Sequence, residues 1–180
     1  THANQTQDVG DPAGKHHELL DELSSAVEMF FNDLDSQDLA DDVVGITYSE
    51  FGRNAAENGN MGTDHGEVSP MFVFGKPVQG GVSGINPDLT EASSDNNFQI
   101  ETVQHDYRET FGTLIQNFMG ANDDVVNTTF FNNTVDSSFT SFKIENLIKP
   151  SFEVPEHCFN SNMENDTDEL RVGNLELDSN

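Results

Sequence analysis

The chain has 180 residues, 33 acidic against 7 basic, for a formal charge of -26 and a pI of about 4.1. A surface this acidic repels nucleic-acid phosphates and anionic bilayers, which argues against nucleic-acid binding and membrane adsorption, and no apolar run is long enough to cross a membrane. The length suffices for one domain with a core, and Cys158 as the sole cysteine leaves no internal disulfide to form.

The acids are spread along the chain, which reads as a solvated surface suited to salty surroundings where screening blunts self-repulsion. Residues 1–14, with Gly10, Pro12 and Gly14, read as loop. From Lys15 onward, Leu19, Leu20, Leu23, Ala26, Val27, Phe30, Phe31 and Leu34 follow the three-four spacing of an amphipathic helix, with Asp21, Glu22, Glu28 and Asn32 on its other side. His16 and His17 open that helix with diverging side chains, a pattern of a solvated face rather than of a shared metal. A β-branched run at 43–48 and the apolar run 71–74 predict two strands. Between them lies a stretch, 49–69, that reads as one long glycine-containing loop, and loops of that length are usually functional or disordered.

Further along, 76–97 reads as loop and 98–101 as a short edge strand. Asp106 is placed to cap a second helix carrying Tyr107, Phe111, Leu114, Ile115 and Phe118 on one face, with Gly120 where a helix-ending glycine belongs. One or two helical turns are expected in 123–131 and an irregular strand in 139–152. The order helix, strand, long loop, strand, helix predicts an α/β layered fold with a partly parallel sheet. Two acceptor-like patterns for glycosylation, at Asn127 and Asn132, are of the kind that arises by chance in an asparagine-rich chain.

Chemistry concentrates where the first strand runs into the loop. Glu50, Arg53, Asp64 and His65 are placed there, as ligands and catalytic groups are at the carboxyl ends of strands in α/β proteins. Asp64 and His65, set between Gly62 and Gly66, suit metal ligation or proton transfer; the bland alternative is an Asp turn with an exposed imidazole. Arg53 offers a planar fork for sulfate or phosphate oxygens, against the alternative of an ion pair with Glu50 or Glu57. Cys158 beside His157 reads as an incidental or buried thiol.

The succession Thr1-His2-Ala3-Asn4, Ser49-Glu50-Phe51-Gly52-Arg53, Glu57-Asn58-Gly59, Gly62-Thr63-Asp64-His65-Gly66 and Met71-Phe72-Val73-Phe74-Gly75 resembles the bacterial sulfatase-like proteins called domain of unknown function 1501. Asp106-Tyr107-Arg108, followed by a helix and Met119-Gly120, is similar to that family's closing region, so the resemblance covers roughly residues 1–150. It implies kinship with the alkaline phosphatase and sulfatase superfamily: a central sheet flanked by helices, with metal ligands on loops at the strand ends. Residues 1–150 would then be the C-terminal part of such a domain, and 151–180 an acidic tail or linker without order.

On this resemblance the catalytic candidates are Glu50, Arg53 and His65. The ligands of a divalent metal (zinc, manganese or calcium) would be His2, Asp64 and His65, and His2, Glu50, Asp64 and His65 would meet in one pocket. Phe51 stands where an imidazole would complete a two-metal site. The chain starts without a methionine, and the acid that usually precedes the Thr-His pair, like the nucleophile, would lie upstream, so the isolated piece is expected to be inactive. The implied substrate is a small anionic ester, in a periplasmic or extracellular bacterial setting. The alternative is a non-catalytic secreted binding or surface protein on the same scaffold.

Overall fold

A computed structural model describes residues 15–131 and 143–155. Helix α1 (Lys15–Ser36) forms where the three-four pattern predicts it. Its C-terminal half docks: Leu34 is buried, and Phe31 meets Phe74 edge-on at 5.8 Å. Its N-terminal half keeps Leu19, Leu20 and Leu23 at 45–46% exposure, so the apolar stripe is only partly covered.

Strand β1 (Gly45–Ile46) pairs antiparallel with β4 (Val73–Phe74), and β2 (Gly52–Glu57) with β3 (Thr63–Gly66). Each is a two-stranded unit, so the described residues combine helices with small antiparallel sheets, α/β in the general sense, in place of the expected partly parallel sheet. The run 43–48 shortens to two strand residues because Thr47 ends the ladder. Its N–H reaches the Phe72 carbonyl, but its own hydroxyl takes the Phe72 N–H in return.

The long loop expected at 49–69 contains the β2–β3 hairpin. The sequence hides it because Asn54-Ala55-Ala56-Glu57 carries neither β-branched residues nor a polar–apolar alternation. At 98–101 there is no strand; Phe98 has φ 58° and its carbonyl accepts one hydrogen bond from the Ala55 N–H, which lays this segment along β2.

Helix α2 (Tyr107–Asn117) is capped by Asp106, whose carboxylate accepts from the Arg108 N–H, and the chain leaves it through Gly120 at φ 79°. A short α3 (Asp123–Val126) continues into a π-type turn at Asn127–Phe131. Against these pack Ile144 and Ile148: the fully buried Thr113 accepts the Ile144 N–H at 2.9 Å, and Val78 bridges Ile148. Ile100, Leu114, Ala121, Val126, Ile144 and Ile148 form the buried apolar centre. The part of the strand expected at 139–152 that is described is irregular apart from that bridge. His2, Cys158 and the tail beyond 155 lie outside the described residues.

Candidate functional site

The β2–β3 hairpin is built on close backbone approach. A Cβ on Gly66 would stand 2.3 Å from the Arg53 carbonyl carbon, and one on Gly52 would stand 1.7 Å from the Val68 carbonyl oxygen. Only glycine fits either position, and with Gly52 set opposite Gly66 the next pair in register is Arg53 opposite His65. Directly opposed residues share one face of a sheet, so a guanidinium and an imidazole that are twelve positions apart in the chain become neighbours.

Phe51 completes the group. Two residues before Arg53, it lies on the same side, and its ring stacks on His65 with centroids 3.6 Å apart and planes at 16°. The guanidinium carbon of Arg53 is 5.5 Å from the centroid of the Phe51 ring, and Arg53 Nη1 donates to the Thr63 carbonyl at 3.0 Å. The half-buried cation is thus fixed by its ring contact and by one hydrogen bond across the hairpin. Gln99 braces the far end: its amide nitrogen donates to the His65 carbonyl and its oxygen accepts the Glu67 N–H.

The expected site residues fall as follows. Arg53 and His65 come together. Asp64 takes a hydrogen bond from Asn58 Nδ2 at 3.1 Å, and because it sits in a strand beside His65, strand alternation turns the two side chains to opposite faces. Reading 62–66 as a loop, where adjacent ligands can converge, misses that alternation. Glu50 is exposed in the bend before β2 and makes no ion pair with Arg53, and neither does Glu57, among the described residues. No group of three His, Cys, Asp or Glu that could hold a metal occurs among the described residues. Two buried oxygens near the hairpin, Asn54 Oδ1 and Thr63 Oγ1, find no partner among the described residues. Asn54 and Gln99 are the contributors that sequence reasoning passes over, and it takes Phe51 only as the residue standing where an imidazole would complete a two-metal site; the period-two spacing of Phe51 and Arg53 is the one signal that could have placed the ring beside the cation.

A groove of about 380 Å³, lined by Asp41, Asp42, Lys76 and Lys149 among others, lies elsewhere. Its cations are occupied. Lys76 pairs with Asp41 at 3.0 Å and Asp35 at 3.4 Å, which hold its ammonium above the usual lysine value, and Lys149 donates to the Lys76 carbonyl.

A family model described as "Protein of unknown function (DUF1501)" matches residues 1–129. The chain belongs to this DUF1501 family. The match takes in α1, the β2–β3 hairpin, α2 and α3, so the opposition of Arg53 and His65 lies inside the family region of this DUF1501 protein. No curated protein and no solved structure matches the chain significantly.

Proposed function

We propose that this DUF1501 chain forms part of a hydrolase acting on a small sulfate or phosphate ester, with the β2–β3 hairpin as its oxyanion-binding edge. The observation that supports it is the register that sets Arg53 against His65 between two obligatory glycines. With Nη1 anchored on the Thr63 carbonyl, the rest of the guanidinium fork keeps donors for the oxygens of a tetrahedral anion. His65, held flat against Phe51, can hold or move a proton at the leaving-group oxygen, and the exposed Glu50 is the candidate base.

Strand alternation sets Asp64 and His65 on opposite faces, and no group of three metal-ligating side chains occurs among the described residues. A zinc, manganese or calcium ion would need donors from outside the described residues, with His2 the candidate from the family resemblance. The anion-binding and proton-transfer roles stand without it. A sulfatase-like layered scaffold and a periplasmic or extracellular setting belong to the same proposal and rest on that resemblance alone.

A second reading, a binding protein without catalysis, is favoured by the engagement of Arg53 with Phe51 and Thr63, which gives the cation a structural role as well. Turnover of 4-nitrophenyl sulfate and 4-nitrophenyl phosphate by the chain, with and without added zinc, manganese or calcium, separates the two. Turnover that falls in Arg53→Lys and His65→Gln supports the hydrolase. Saturable sulfate binding without turnover, by the chain joined to the upstream segment that would carry the nucleophile, supports the binding protein, and no saturable binding of sulfate or phosphate overturns both.

A further inference from the structure

A second chemical constellation lies away from the hairpin, and it does not depend on the reading of Arg53 and His65. Ser83 Oγ is 3.1 Å from His105 Nε2, and His105 Nδ1 is 3.1 Å from Glu109 Oε2. The glutamate side chain is only 7% exposed, whereas the imidazole is 36% exposed and open to an incoming molecule. Hydroxyl, imidazole and buried carboxylate are therefore joined in line through the two ring nitrogens.

The chain positions these groups by separate devices. His105 directly precedes the Asp106 cap and Glu109 lies in the first turn of α2, a four-residue spacing that brings the two side chains together. Ser83 comes from the glycine-rich loop before a 3-10 turn at Leu89–Glu91. Gln104, beside His105, holds that loop at two points: its oxygen accepts the Ile85 N–H at 2.7 Å and its nitrogen donates to the Ile85 carbonyl at 2.8 Å. Gly84, at φ 100°, lets the loop come this close, since a Cβ there would stand 2.7 Å from Gln104 Oε1.

We propose that Ser83, His105 and Glu109 form a nucleophilic serine site for acyl transfer from uncharged carboxylic esters. An ionised carboxylate only accepts, so Glu109 fixes the proton of the neutral ring on Nδ1 and leaves the Nε2 lone pair for the Ser83 hydroxyl. On attack, the Ser83 Oγ–carbon bond forms, the carbonyl π pair moves to oxygen, and the hydroxyl proton passes to Nε2. Collapse breaks the bond to the alcohol oxygen, which leaves with that proton. Water then attacks the acyl-serine, gives a proton to Nε2, and releases the carboxylic acid as the proton returns to Ser83. In this proposal the N–H of Gly84, the residue after Ser83, would donate to the developing oxyanion.

The surroundings choose the substrate class. Val82 and Ile85 flank the serine at 92% and 80% exposure, an apolar setting for an acyl chain. Glu109 leaves the neighbourhood negative, and Arg108 is taken up by Asp106 through two side-chain hydrogen bonds, which together turn away anionic acyl groups. Ser83 and His105 are the catalytic residues; Glu109 and Gln104 position them.

The test is covalent labelling of the chain by an alkyl fluorophosphonate, in which Ser83 Oγ bonds to phosphorus and fluoride leaves, read by mass spectrometry, alongside hydrolysis of 4-nitrophenyl butyrate. One adduct is expected, on Ser83. It should be absent in Ser83→Ala, an exposed substitution that removes no packing, and slowed by about 100-fold in His105→Gln. For Glu109, proton NMR should show a downfield imidazole N–H signal that Glu109→Gln abolishes along with the labelling. No adduct on Ser83 in the folded wild type, or labelling at the same rate in His105→Gln, would overturn the proposal. Loss of sulfate-ester chemistry at the hairpin would leave it untouched.

Discussion

Gly66→Ala tests whether the hairpin register depends on bare backbone contact. The new Cβ would lie 2.3 Å from the Arg53 carbonyl carbon, 2.5 Å from the Asn54 nitrogen and 2.6 Å from the Arg53 oxygen. Ordinary carbon contacts need about 3.5–4.0 Å, so β2 and β3 must part by more than about 1 Å, and both clashing partners are backbone. Ladder hydrogen bonds of about 2.9 Å then open past bonding distance. Losing two of them at about 1 kcal/mol each, with overpacking strain of about 1–3 kcal/mol, gives roughly 3–5 kcal/mol. Urea unfolding followed by circular dichroism should show the midpoint fall by about 2 M for a typical slope of about 2 kcal/mol/M. Gly80→Ala is the control, because nothing lies within 4 Å of its added Cβ. It should stay within about 0.5 kcal/mol of wild type or gain slightly. A Gly66→Ala protein as stable as wild type, or a Gly80→Ala protein as damaged, would refute the reasoning.

Thr113→Val keeps the shape of a 1% exposed residue but removes the oxygen that accepts the Ile144 N–H and donates to the Glu109 carbonyl. It should cost about 1–3 kcal/mol in the same urea assay, through an N–H left buried and unpaired. Arg108, first through its side-chain hydrogen bonds, holds the Asp106 carboxyl below the usual aspartate value of 3.8. A depressed folded value means that Asp106 contributes stability above the unfolded value, and that this is lost as pH falls through the lower folded value. Asp106→Asn retains a good capping acceptor, so its deficit in thermal unfolding at neutral pH should close as the solution is taken below the carboxylate range. At a formal charge of -26, added sodium chloride should raise the melting temperature of the wild type, as measured by calorimetry from dilute buffer upward.

Helices were the legible part of the sequence because their signals are local. The spacing of Leu19 through Leu34 sets α1, and Asp106 and Gly120 bracket α2. What the spacing could not show is how far a face is covered: Leu19, Leu20 and Leu23 have the pattern of core residues, yet remain nearly half exposed. The hairpin was illegible because its strands are held by glycine contacts and cross-strand pairing rather than by β-branched residues, and pairing is a relation between distant positions. Arg53 and His65 stood out by residue type, but their opposition, and the turning of Asp64 away from His65, follow only from the strand. Ser83, His105 and Glu109 carry no contiguous motif; a loop bracketed by Gln104 brings them together.

The most direct measurement of anion recognition at the hairpin is a titration of the isotope-labelled chain with inorganic sulfate and phosphate, followed by NMR. Saturable shifts are expected at the Arg53 side chain, Thr63 and the His65 ring, and they should weaken in Arg53→Lys, which keeps the charge but loses the planar fork. Shifts confined to the groove of Lys76 and Lys149, or none at the hairpin up to molar salt, would contradict the assignment of an anion site to Arg53 and His65.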